Sequence, residues 1–342
     1  MNGRTRRRLQ VLLMVVLTAG LLYLFLRNSD PSSVWRAIDD TNLFWLAVAL
    51  VTNFLALLFR AQRWRTIISP DHPPRFYPTF FATALGFMSS ALLPIRAGDV
   101  VRPALLSRRT DIRFSTAFGT VVTERVLDLF AILVIVLSFV LLALRSPGSV
   151  MPGMAPILRS AGLVALAIFV VMLGFVVSVY FFSDSVRRMH EWLGRFVPRR
   201  FHDSWMRFFD SFTGSLRVVN DGRAFLMILA CTVLIWTSLT AEFYFLMLAM
   251  HHPLPYRASF LVTGVSILGL MLPTPGGVGG FHKACQIALV QFYGFDVSTS
   301  VAVALLLHLV GTAPVLLTGA ALAIREGLTL GQISRIGENF EQ

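Results

Sequence analysis

Charged side chains are scarce in this chain, at 14% of 342 residues, against 56% hydrophobic ones. A water-soluble domain of this size needs far more charge on its surface, so the composition excludes one and implies a polytopic membrane protein. Long polar stretches are missing as well. The longest, about 183–223, is too short for a separate soluble domain and reads as a basic loop or interfacial amphipathic helix. Lysine is nearly absent: Lys283 is alone among 30 basic residues, so arginine carries the net charge of +12. Such an excess is the signature of the positive-inside rule, and with no nucleic-acid motif present no nucleic-acid partner is expected. Only two cysteines occur, Cys231 and Cys285, without metal-ligand spacing, so neither a disulfide framework nor a zinc site is expected. No glycine-rich loop ending in Lys-Ser or Lys-Thr is present; ATP binding of that kind is excluded and no cofactor is expected.

What is present is a series of apolar runs. Six are long enough to span a bilayer, roughly 9–26, 43–60, 126–144, 160–182, 224–250 and 297–323. The expected fold is all-α, a polytopic helical bundle of about six full spans plus two re-entrant, broken elements, forming one integral membrane domain over 1–342. The first run follows the Arg4–Arg8 cluster and has no small-residue cleavage site after it, so it reads as a retained helix. Arginines gather before the first run, after the second, before the third and after the fourth, while 27–42, 145–159 and 251–257 hold few. That alternation places both termini on the cytoplasmic side of the membrane.

Two shorter apolar pieces carry a repeated motif. One ends in Leu92-Leu93-Pro94-Ile95-Arg96-Ala97-Gly98, the other in Met271-Leu272-Pro273-Thr274-Pro275-Gly276-Gly277. Basic loops flank segment 76–94 on both sides, which suits a hairpin dipping in from the cytoplasm, joined by a turn of helix at 114–123 so that the region covers 76–123. Segment 258–292 has the opposite surroundings and would dip in from outside, an inverted repeat of the kind transporters use. Proline supplies no N–H and paired glycines allow backbone shapes other residues resist, so each motif breaks its helix. Irregular backbone at membrane depth is tolerated where it is buried in protein or faces a polar cavity. The run through Gly279 and Gly280 therefore predicts such a cavity, unless it is a tight structural turn.

Ionisable residues cluster near both motifs. Asp99 stands three residues from Arg96 and from Arg102, within reach of both guanidiniums on a helix. Glu124 and Asp128 share a helical face, and Arg125 can reach Asp128; this group can pair with Arg96 or Arg102 and close the cytoplasmic side of a cavity, or form a structural ion-pair knot. Arginine's planar fork suits a phosphate. His282 and Lys283 follow the second glycine run and offer a headgroup contact there. Glu242 and His308 lie deep in their spans, where interhelical hydrogen bonding is the simpler role.

Four motifs together resemble the flippase-like membrane family named after the transmembrane region of lysylphosphatidylglycerol synthase. They are Arg60-Ala61-Gln62-Arg63-Trp64; Leu93-Pro94-Ile95-Arg96-Ala97-Gly98-Asp99 with Arg102; Glu124-Arg125-Val126-Leu127-Asp128; and Leu272-Pro273-Thr274-Pro275-Gly276-Gly277-Val278-Gly279. The chain departs from the family pattern at Asp99, usually Glu, at Ser90, often Asn, and at His282, commonly Glu. The resemblance covers the translocating half of the synthase and implies lipid translocation without catalysis. The lipid partner would be a phospholipid or a polyprenyl or hopanoid-type lipid. Implied headgroup residues are Arg96, Asp99, Arg102, Glu124, Arg125, Asp128, Pro273, Pro275, Gly276, Gly277, Gly279, His282 and Lys283. Two protein partners stay open, a second copy of the chain or a lipid-synthesis enzyme, and a headgroup transferase is the enzymatic alternative.

Overall fold

The computed structural model describes residues 3–68, 73–92, 97–145, 153, 155–181, 206, 213–214, 221–270, 272, 274–329 and 331–333, with side chains outside 3–14, 179–181 and 275. The interfacial-helix reading of 183–223 thus lies almost wholly outside the described residues. Among those described the structure is helical throughout. Five helices are long and apolar enough to cross a membrane: α3 (Leu43–Ile68), α6 (Phe114–Arg145), α7 (Ala155–Phe181), α8 (Gly222–Ala249) and α11 (Val297–Arg325). Helix α1 (Gly3–Leu26) is the sixth long one, its described apolar stretch running over Val15–Leu26.

Helix boundaries depart from the apolar runs at two places. Helix α3 continues past Arg60 to Ile68, because no glycine or proline interrupts the chain until Pro70. Residues 114–123, expected to join the first hairpin, instead form the opening turns of α6. The stretch 27–42, read as loop, contains α2 (Pro31–Asp39). Its start signals are complete: Pro31 at the first helical position and Asp30 as the cap, accepting from the backbone of Ser32 and Ser33. The hydroxyls of Ser33 and Ser32 also donate to that carboxylate and hold it down at about 2.

The two broken elements are helical hairpins. Helices α4 (Phe76–Leu92) and α5 (Gly98–Ser107) form the first; α9 (Tyr256–Gly269) and α10 (Gly280–Tyr293), with a 3-10 turn at Pro275–Gly277, form the second. They enter from opposite faces. On one face Asn42 N–H donates to the Ala249 carbonyl (2.8 Å) and Asp30 N–H to Ser298 (2.9 Å), beside the start of α9. On the arginine-rich face, where α4 begins, Arg109 pairs with Glu326 at 2.6 Å and Tyr77 donates to it at 3.1 Å. Those two hydrogen bonds, Arg109's the larger influence, hold the Glu326 carboxyl below its ordinary range.

Each hairpin has its own apolar core. Leu57, Trp64, Phe81, Leu85, Met88, Val101, Leu105 and Val121 surround the first; Phe25, Phe243, Leu246, Val262, Cys285, Leu289 and Val301 surround the second. Glycine lets the legs of each touch backbone to backbone. A Cβ on Gly98 would collide with the Gly86 carbonyl, and one on Gly269 would stand 2.5 Å from the carbonyl oxygen of Gly280. The two hairpins touch where Gly276 lies against the Ala91 carbonyl.

Candidate functional site

Beneath the first hairpin the sequence stacks charge where lipid-facing helices cannot. Helix α6 presents Glu124, Arg125 and Asp128 within two turns; α5 supplies Asp99 and Arg102, and α3 supplies Arg63. Arg63 and Arg102 converge on the two oxygens of Glu124, the first through Nε at 3.4 Å and the second through Nη2. Arg63 also donates to Asp128 (2.7 Å) and to the Thr232 hydroxyl on α8 (3.4 Å). Arg125 bridges Asp128 (3.3 Å) and Asp99 (3.0 Å). Arg63, Arg102 and Glu124 are each exposed by 2% or less, while Arg125 and Asp99 stand at the rim. Three guanidiniums thus meet three carboxylates. Such balance is required, since a buried ion without a counter-ion is strongly destabilising.

Aromatic rings complete the packing of the knot. The Arg102 guanidinium lies 4.0 Å from the Trp64 ring centroid and 5.9 Å from that of Phe87. Trp64 in turn donates its indole N–H to Thr120 (3.0 Å). Gly86 leaves room for the Arg102 stem, because a Cβ there would stand 2.7 Å from the arginine Cβ. Arg60, one turn before Arg63, rests on the other flank of the knot at 4.8 Å from Phe87.

The second hairpin is built on different chemistry. Gly276, Gly277 and Gly279 all adopt positive φ, at 58°, 72° and 90°, which makes the tip a turn other residues would strain. His282 caps it: its Nδ1 accepts from the Gly279 N–H (3.2 Å) while the ring stacks on His308 with centroids 4.6 Å apart. Lys283 donates to the Leu24 carbonyl (3.0 Å) and to Gln286 (2.6 Å), and Gln286 donates to Phe25 (3.0 Å). These side chains tie the hairpin to the end of α1, where carbonyls lack helical partners. Between the hairpins, buried Glu242 accepts from Asn53 at 2.8 Å, linking α8 to α3.

Among the described residues, the expected ones thus fall into two groups. Asp99, Arg102, Glu124, Arg125 and Asp128 form one cluster; Gly276, Gly277, Gly279, His282 and Lys283 form the other. Asp99 does not bridge Arg102 as its spacing allows; it reaches Arg125, while Arg102, turned into the core, takes Glu124. Arg96 and Pro273, and the side chain of Pro275, lie outside the described residues. Sequence reasoning passed over Arg63 by ending the second span at Arg60. The unbroken helical run to Ile68 was the signal that would have found it.

Comparison with known proteins follows the same outline. Residues 11–319 match the family described as the lysylphosphatidylglycerol synthase TM region, and the chain belongs to that family. It is 25% identical over 360 residues to a protein named glycosyltransferase AglD from Haloferax volcanii, a match covering 95% of this chain and 56% of that one. The chain therefore spans about half the length of that relative. It is 22% identical to a UPF0104 membrane protein from Methanothermobacter thermautotrophicus, over 85% of this chain and 86% of the other.

Proposed function

We propose that this member of the family moves a phosphate-bearing lipid between the leaflets of the bacterial inner membrane, with both termini cytoplasmic. The observation that carries the reading is the meeting of two broken hairpins, one from each face, above a buried and charge-balanced knot. Broken helices at depth belong to proteins that pass polar groups through the bilayer. The headgroup crosses along the hairpin junction while the acyl chains stay in lipid. The knot of Arg63, Asp99, Arg102, Glu124, Arg125 and Asp128 shuts the cytoplasmic end and parts to admit a phosphate, with Arg96 beside it in sequence. The turn from Pro273 through Gly279 supplies the outer contact. There the Thr274 hydroxyl is buried with no protein partner, and His282 and Lys283 hold the turn in shape. Movement is passive or driven by a gradient.

The test is leaflet exchange of fluorescent phosphatidylglycerol in liposomes holding the purified protein, read by quenching from outside. Exchange is expected for the wild type. Quenching confined to the outer leaflet across a panel of anionic lipids, with or without a pH gradient or membrane potential, would overturn the reading. The printed name of the Haloferax relative favours one rival, a headgroup transferase. A changed lipid mass after incubation would establish that rival instead. Activity that needs a lipid-synthesis enzyme, or a second copy of the chain, would identify the protein partner.

A further inference from the structure

We infer that Arg60 is the residue that receives the lipid's phosphate, an assignment that rests on the translocation reading and gives its headgroup path a named cation. Arg60 stands roughly 12 Å from the arginine-rich end of α3, at about 1.5 Å per residue. A charge at that depth needs a counter-ion, a polar cavity or a ligand. The knot does not provide the counter-ion. Both oxygens of Asp128 are taken by Arg63 and Arg125, both of Glu124 by Arg63 and Arg102, and Asp99 holds Arg125. On the other side, seven residues back on the same helical face, Asn53 donates to one oxygen of Glu242, and no hydrogen bond or ion pair joins that carboxylate to Arg60 among the described residues.

Arg60 is thus the cation left outside the knot: three guanidiniums and three carboxylates pair there, and the fourth guanidinium makes no ion pair among the described residues. Arg60 is itself partly exposed, so its guanidinium is open to a ligand. Its guanidinium lies against Phe87 of the first hairpin, a partly exposed ring. Arg102 flanks the same ring, and its Nε is buried without a hydrogen-bond acceptor. Two guanidiniums with unmet donors around one aromatic ring describe a binding place for an oxyanion. One guanidinium without an ion pair matches a phosphodiester, which carries a single negative charge. The hydrocarbon surroundings favour a lipid source over free phosphate.

Native mass spectrometry of the intact protein tests this, with phosphatidylglycerol and with diacylglycerol of the same chains as probes, in the presence and absence of inorganic phosphate. Arg60→Gln should weaken phosphatidylglycerol retention about tenfold and leave diacylglycerol unchanged. Arg60→Lys should keep part of the difference, and Arg325→Gln, at the surface, should behave as wild type. Removing an unpaired charge should leave the melting temperature of Arg60→Gln unchanged or raised, whereas Arg63→Gln should lower it. Equal retention by wild type and Arg60→Gln would overturn the assignment. So would a lowered melting temperature for Arg60→Gln, which would make Arg60 structural, or displacement of the lipid by inorganic phosphate, which would make the site one for the free anion. Wild-type liposomes that bind phosphatidylglycerol through Arg60 but show no leaflet exchange would refute translocation alone.

Discussion

The two hairpins share a backbone and differ in everything attached to it. Both pinch a glycine pair between their legs, Gly86 with Gly98 and Gly269 with Gly280, and they touch where Gly276 meets Ala91. The first is wrapped in arginines and carboxylates, with Arg102 and Glu124 sealed from solvent. The second is held by uncharged contacts, a histidine on a backbone N–H and stacked rings, plus one lysine on a helix end. Close backbone packing is therefore the property a broken helix needs at depth, and charge is an addition one hairpin makes for another purpose. We assign that purpose to the headgroup and leave the second hairpin the task of shaping the path.

Breaking the knot should do most. Glu124→Gln strips the shared counter-ion from two buried arginines and should cost about 3–5 kcal/mol, seen as a large drop in melting temperature of the detergent-solubilised protein. Gly98→Ala and Gly280→Ala should each cost about 1–3 kcal/mol through overpacking. Similar losses would support a shared clamp, and a much smaller one at Gly280 would break the comparison. His282→Ala leaves the Gly279 N–H without its acceptor and should cost about 1–3 kcal/mol, with phosphatidylglycerol retention unaltered. The smallest effect belongs to the surface clasp at Glu326. Its depressed carboxyl contributes stability above the ordinary glutamate value, lost as pH falls through the folded one. Wild-type melting temperature should fall across that acidic window more steeply than that of Glu326→Gln.

Much of this was written in the residues themselves. The repeated Leu-Pro and glycine breakers marked both hairpins, and arginine alternation set them on opposite faces. The i,i+3 spacing of Arg125 and Asp128 foretold their pairing. What escaped was whatever depends on burial: apolar runs were trimmed at charges, so α3 stopped short of Arg63 and α6 began after Glu124, though both charges lie inside the helices. A charge paired across helices looks like a loop charge when its partner is 61 residues away. The glycine partners Gly86 and Gly269 escaped for the same reason, since only a neighbouring leg gives them a task. For α2 the signal was local, an Asp before Pro-Ser-Ser, and the stretch is too short for an apolar-run reading to weigh.

The most direct test of the division between the hairpins is phosphatidylglycerol exchange measured side by side for wild type, Arg60→Gln and Lys283→Gln, each with its melting temperature. The account predicts exchange by the wild type, its loss in Arg60→Gln at an unlowered melting temperature, and its survival in Lys283→Gln. Exchange that persists in Arg60→Gln, or that vanishes in a folded Lys283→Gln, would contradict it.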